Sequence, residues 1–152
     1  MMNARINSFK IFREVAEDIY KKIDKKRPEK SFDYIIAFTV NCSFSRELGL
    51  KAIIAERYSE VKGHFLDKLF DQLEQEQKNF IIANMPSLVD KSETSKEFRD
   101  LTTTVSNNYV DWRYYYEKDL NTNWLFLYEL MNAINLYFDG NNYLVYLESL
   151  MK

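Results

Sequence analysis

Apolar residues recur every three or four positions along most of this chain, and strict alternation is absent. Ile6, Phe9, Phe12, Ala16, Ile19, Tyr20 and Ile23 fall on one face of a 3.6-residue repeat. They predict a first helix from about Ile6 to Lys26. Arg27-Pro28 should end it, because proline disfavours helical geometry in the residue before it. A second helix is predicted from near Phe32 to about Arg57. Tyr34, Ile35, Ile36, Phe38, Val40, Phe44, Leu48, Ile53 and Ile54 cannot share one narrow stripe, so this helix should be the central and most buried one.

Leu66, Leu69, Phe70 and Leu73 mark a third helix, and a short one is predicted around Gln77 to Ala83, broken at Pro86. The polar loop Ser87 to Thr94 is expected to be the mobile stretch. A long helix from near Ser92 to about Asp119 would place Phe98, Leu101, Val105, Tyr109, Trp112 and Tyr116 on an inward seam. Asn121 or Thr122 would cap the next helix, which carries Trp124, Leu127, Tyr128, Met131, Ile134 and Phe138. The turn signal at Asp139 to Asn142 leads to a final short helix through Leu144, Leu147 and Met151.

Only three glycines and two prolines occur in 152 residues, too few for the turns of a sheet protein. The fold class is therefore all-α, a helical bundle of about five to six helices with an up-and-down core. The length suits a single domain over residues 1–152. No internal repeat or low-complexity tract divides it.

The formal charge of −2 argues against the broad basic field of a nonspecific nucleic-acid binder. The balance is uneven, however. Residues 1–62 carry 13 basic and 9 acidic side chains, and residues 63–152 carry 8 and 14. The segment KKIDKKRPEK, Lys21 to Lys30, holds six basic and two acidic groups and predicts a local positive patch at a helix end. The lone Cys42 excludes an intramolecular disulfide and reads as a small core residue. Charges sit where a signal peptide would need its apolar region, and no eighteen-residue apolar window occurs. The expectation is a cytoplasmic protein with no membrane association.

Glycine-rich phosphate loops, serine elbows and HExxH are absent, and one histidine with one cysteine cannot build a His/Cys metal cage within one chain. No cofactor is called for. His64 follows Gly63 and precedes a helix, with Asp67 three residues on; it reads either as a group that caps backbone amides or meets that carboxylate, or as an active-site histidine. Arg57 reads as a cation at a helix C-terminus or as a phosphate ligand. Ser43, Glu47 and Lys51 lie at four-residue intervals, consistent with a helix-surface ion pair or with a pair held at a cleft. Asp67 and Asp71 suit a solvated helix face. Arg113, between Trp112 and Tyr114, is either a cation stacked on aromatic neighbours or a lining of the same cleft. Tyr109, Tyr114, Tyr115 and Tyr116 serve as core, as interface, or as a platform for bases.

The run CSFSRELGLKAIIAERYSEVKGHFLDKLFDQL, Cys42 to Leu73, resembles the second and third helices of HEPN-domain proteins. There an apolar helix carrying Glu-Leu-x-x-Lys-Ala leads through a short loop to Lys-x-His and a helix with Leu-x-x-Leu. DWRYYYE, Asp111 to Glu117, is similar to their Arg-Tyr-rich segment. The resemblance implies a small helical bundle, commonly a homodimer, of toxin-antitoxin, phage-defence or RNA-processing systems. It implies metal-independent RNA endonuclease or RNA-binding activity, or else a noncatalytic module for a partner protein such as a nucleotidyltransferase. Catalytic members carry Arg-x(4-6)-His, and Arg57 and His64 have six residues between them. By that likeness His64 and Arg57 are catalytic, and Arg113, Glu47, Lys51 and Tyr114 bind substrate.

Overall fold

The computed structural model describes residues 4–105 and 124–152. Seven α-helices and no strand occur among the described residues: α1 Ala4–Tyr20, α2 Phe32–Ile54, α3 Leu66–Asp71, α4 Gln75–Ala83, α5 Lys96–Val105, α6 Trp124–Phe138 and α7 Asn142–Ser149. No described helix is long and apolar enough to cross a membrane.

Helix α2 is the hub, packed most extensively against α1 and then α6. Its register with α1 is antiparallel: Phe12 stacks on Phe44 and Tyr20 packs against Phe38. With α6 it runs parallel, since Cys42 Sγ donates to the Leu127 carbonyl at 3.2 Å and Gly49 abuts Ile134. Gly49 permits this closeness. A Cβ there would stand 2.6 Å from Ile134 Cγ2 and 2.9 Å from Phe9 Cδ2, inside van der Waals contact with two packed side chains. Phe9, Phe38, Leu50, Ile53, Leu127, Leu130 and Ile134 are fully buried around this junction. Burying each such side chain contributes about 1.5–3 kcal/mol.

The first helix ends at Tyr20 rather than near Lys26, and Pro28 is not what ends it. The amides of Lys22 and Ile23 reach only three residues back, to Ile19 and Tyr20, and the tightened turn drops Ile23 into the core. Asp24 then organises the chain: Oδ1 accepts the Lys26 and Arg27 amides at 3.0 and 3.2 Å, while its own amide donates to Ser31 Oγ at 2.8 Å. Pro28 opens a separate 3₁₀ turn, Pro28–Ser31. The second helix likewise stops earlier than the pattern predicts, at Ile54.

Segment 84–95 makes more contacts than its polar sequence suggests. Leu88 is buried, Lys91 Nζ donates to the Met85 carbonyl at 2.6 Å, the Ser87 amide donates to the buried Glu129 at 2.6 Å, and Lys78 pairs with Glu93 at 3.2 Å. Ser95 caps α5, accepting the Phe98 amide at 3.0 Å. The seam holds through Phe98 and Val105; Tyr109, Trp112 and Tyr116 lie outside the described residues, as do Asn121 and Thr122. The last helix turns a different face inward from the one predicted. Tyr143 and Tyr146 meet Phe80 edge-on, and Leu144 and Met151 face solvent, because wide aromatic rings fill the gap beside α4 better than Leu144 would.

Candidate functional site

The C-terminal half of α2 brings Ser43, Glu47 and Lys51 onto one face, and this face is not the solvated one. Ser43 and Glu47 are buried, and Lys51 is half-buried. Glu47 Oε1 accepts from Lys51 Nζ at 2.9 Å and meets His64 Nδ1 at 2.5 Å. Two nitrogen groups thus converge on one carboxylate oxygen. A buried carboxylate costs several kcal/mol unless it is paired and hydrogen-bonded, so these partners offset what burial of Glu47 would otherwise cost.

His64 reaches Glu47 because the chain doubles back after α2. Residues Ala55 to Arg57 close the helix, and Gly63 takes φ 101°, a left-handed value that side-chain-bearing residues rarely adopt. Gln72 Nε2 donates to the Lys62 carbonyl at 3.4 Å from α3's far end. The His64 side chain remains 61% exposed while its carboxylate partner is 9% exposed. A solvent-facing imidazole is therefore held at Nδ1 by a buried carboxylate, which fixes the ring plane.

Arg57 belongs to a different group. Its Nη1 lies 3.3 Å from Glu74 Oε1, and its guanidinium carbon sits 5.3 Å from the Tyr58 ring centroid. Glu74 and Gln77 form the capping box of α4, Gln77 Nε2 donates to Tyr137 Oη at 3.1 Å, and Tyr137 Oη donates to Glu56 Oε2 at 2.8 Å. Burial, then the bond to Glu56, pushes the Tyr137 hydroxyl well above the ordinary tyrosine range. Burial raises the Glu56 carboxyl as well. Sequence reasoning missed this network, since its members are 60 and 81 residues apart and no local pattern joins them.

The structure thus brings Glu47, Lys51 and His64 together and ties Arg57 to α4. Arg113 and Tyr114 lie outside the described residues. Asp67 and Asp71 line a cleft of about 260 Å³ between α3 and α5, with Glu93 and Arg99 at its polar wall. No group of three or more His, Cys, Asp or Glu side chains among the described residues is placed to hold a metal ion. Cys42 is fully buried, and burial pushes its thiol up to about 12. Comparisons with protein-family models, with curated proteins and with solved structures find no match.

Proposed function

We propose that this chain is a HEPN-like, metal-independent RNA endonuclease that acts as a homodimer in a cytoplasmic defence or toxin-antitoxin system. The single observation that carries the reading is the 2.5 Å contact of exposed His64 with buried Glu47.

Cleavage by the adjacent 2′-hydroxyl needs a base for that hydroxyl and an acid for the departing oxygen. The 2′-oxygen bonds to phosphorus as the bond to the 5′-oxygen breaks, leaving a 2′,3′-cyclic phosphate and a 5′-hydroxyl end. Imidazole exchanges protons near neutrality, and a carboxylate behind it stabilises the imidazolium formed when it acts as base. Lys51 keeps Glu47 in place for that task. One chain carries one histidine, so the second proton-transfer group comes from His64 of a second copy across a two-fold axis. Arg113 supplies the cation for the phosphorane, since Arg57 is paired with Glu74, and Tyr114 a stacking surface.

The test is a defined oligoribonucleotide incubated with purified protein in excess chelator. Cleavage with a cyclic-phosphate end, abolished in His64→Ala while the variant remains folded at the assay temperature, supports the reading; equal cleavage by that variant removes it.

The second reading, a noncatalytic module that docks a partner protein such as a nucleotidyltransferase, draws on α7, where Leu144 and Val145 are 55% and 60% exposed. Leu144→Lys with Val145→Lys would then abolish co-elution with that partner and leave any RNA cleavage intact.

A further inference from the structure

The turn between α1 and α2 displays Lys21, Lys22, Lys25, Lys26, Arg27 and Lys30, all exposed. Its shape is set from within, by the three Asp24 hydrogen bonds and by Ile23, which is 3% exposed and anchors the turn in the core. None of these six cations makes an ion pair among the described residues. The acidic groups at this end are Asp24, whose carboxylate is engaged by backbone amides, Glu29, the flanking Asp18 and Asp33, and Glu17, which accepts from Tyr128 Oη at 3.0 Å. A fixed turn whose residues 21–30 hold six cations and two carboxylates presents a local positive surface that attracts polyanions.

The neighbouring aromatic narrows the class of polyanion. Tyr34, on the first turns of α2, is 46% exposed, and Lys22 Nζ lies 5.7 Å from its ring centroid. Cations interleaved with an accessible ring suit a single-stranded nucleic acid, whose phosphates meet the lysines as a base stacks. A bilayer surface fits less well, because the turn's one large aliphatic side chain, Ile23, points into the core and leaves only the Tyr34 ring beside it to insert.

We infer that the Lys21–Lys30 turn and Tyr34 form a binding surface for single-stranded RNA, separate from the Glu47–His64 site. The inference rests on the proposed function for its choice of RNA. From Phe32 to Glu47 the α2 axis rises roughly 22 Å at about 1.5 Å per residue, so the turn lies away from the Glu47–His64 site.

Anisotropy of a fluorescein-labelled oligouridylate, measured over a salt series in the His64→Ala chain so that the probe survives, tests it. Added Lys21→Gln, Lys26→Gln, Arg27→Gln and Lys30→Gln should weaken binding at least ~10-fold at 0.1 M salt and flatten the log Kd against log salt slope by about 3. Tyr34→Ala should weaken it about 5-fold or more, and Lys21→Arg with Lys26→Arg and Lys30→Arg should restore full binding. Turn-dependent binding without cleavage by the native chain upholds this inference and sinks the nuclease. Cleavage with an unchanged Kd and slope in the glutamine variant overturns this inference and spares the nuclease. Tighter binding to polyglutamate or to phosphatidylserine vesicles than to the RNA also overturns it.

Discussion

His64 Nδ1 and Glu47 Oε1, 17 residues apart in the chain, stand 2.5 Å apart, the imidazole in solvent and the carboxylate buried. The pair gives two variants different signatures. His64→Ala removes the proton-transfer group and should lower RNA cleavage by about 10²–10⁴-fold. Its melting temperature should fall modestly, because buried Glu47 keeps Lys51 but loses its second partner. Glu47→Gln keeps the shape but loses the charge behind the ring, so it should slow cleavage with little change in substrate affinity. Steady-state kinetics with thermal melts on both variants checks this.

Gly49→Ala should destabilise the bundle even though alanine is the better helix former. The added methyl would lie 2.6 Å from Ile134 Cγ2 and 2.9 Å from Phe9 Cδ2. Overpacking costs about 1–3 kcal/mol, against at most ~1 kcal/mol returned by helix propensity. Calorimetry should therefore show a melting temperature lower by a few degrees. A rise would mean that α1 and α6 yield easily.

Tyr137 ties α6 to Glu56 and Gln77, and Tyr137→Phe should cost about 0.5–1.5 kcal/mol at neutral pH. Its hydroxyl titrates above the ordinary tyrosine range, because burial and the Glu56 bond favour the protonated form. Tyr143 is raised in the same way to about 12, burial leading and Glu74, Glu76 and Glu56 adding to it. A folded-state pKa above the unfolded one contributes stability that is complete below the unfolded value, about 10, and is lost as pH rises through the folded value. Urea midpoints should therefore fall from pH 9 to 12, and less steeply in Tyr137→Phe.

Cys42 should be inert to thiol reagents in the native protein. It is fully buried, its Sγ donates to the Leu127 carbonyl, and burial pushes the thiol up to about 12, leaving almost no thiolate at neutral pH. Ellman's reagent should label it rapidly in denaturant and, in the native protein, only at the slow rate of global opening.

Much of the fold was written in local pattern. The three-and-four spacing fixes helical segments, and the all-round apolar character of α2 makes it the hub, because hydrophobic periodicity is a property of consecutive residues. Helix ends were less legible: the first helix stops where the Lys22 and Ile23 amides tighten the turn and Asp24 holds the chain beyond it, bonds that depend on where Ile23 and Ser31 end up. The positive turn could be read from composition alone, as could Cys42 in the core. Tertiary structure decided the rest. The spacing of Glu47 and Lys51 was visible, but whether that face met water or protein depended on the returning chain around Gly63. Only folding brings His64 onto Glu47, and only folding commits Arg57 to Glu74. Charge pairing depends on distance in space, and a one-dimensional pattern carries that distance only within a helical turn.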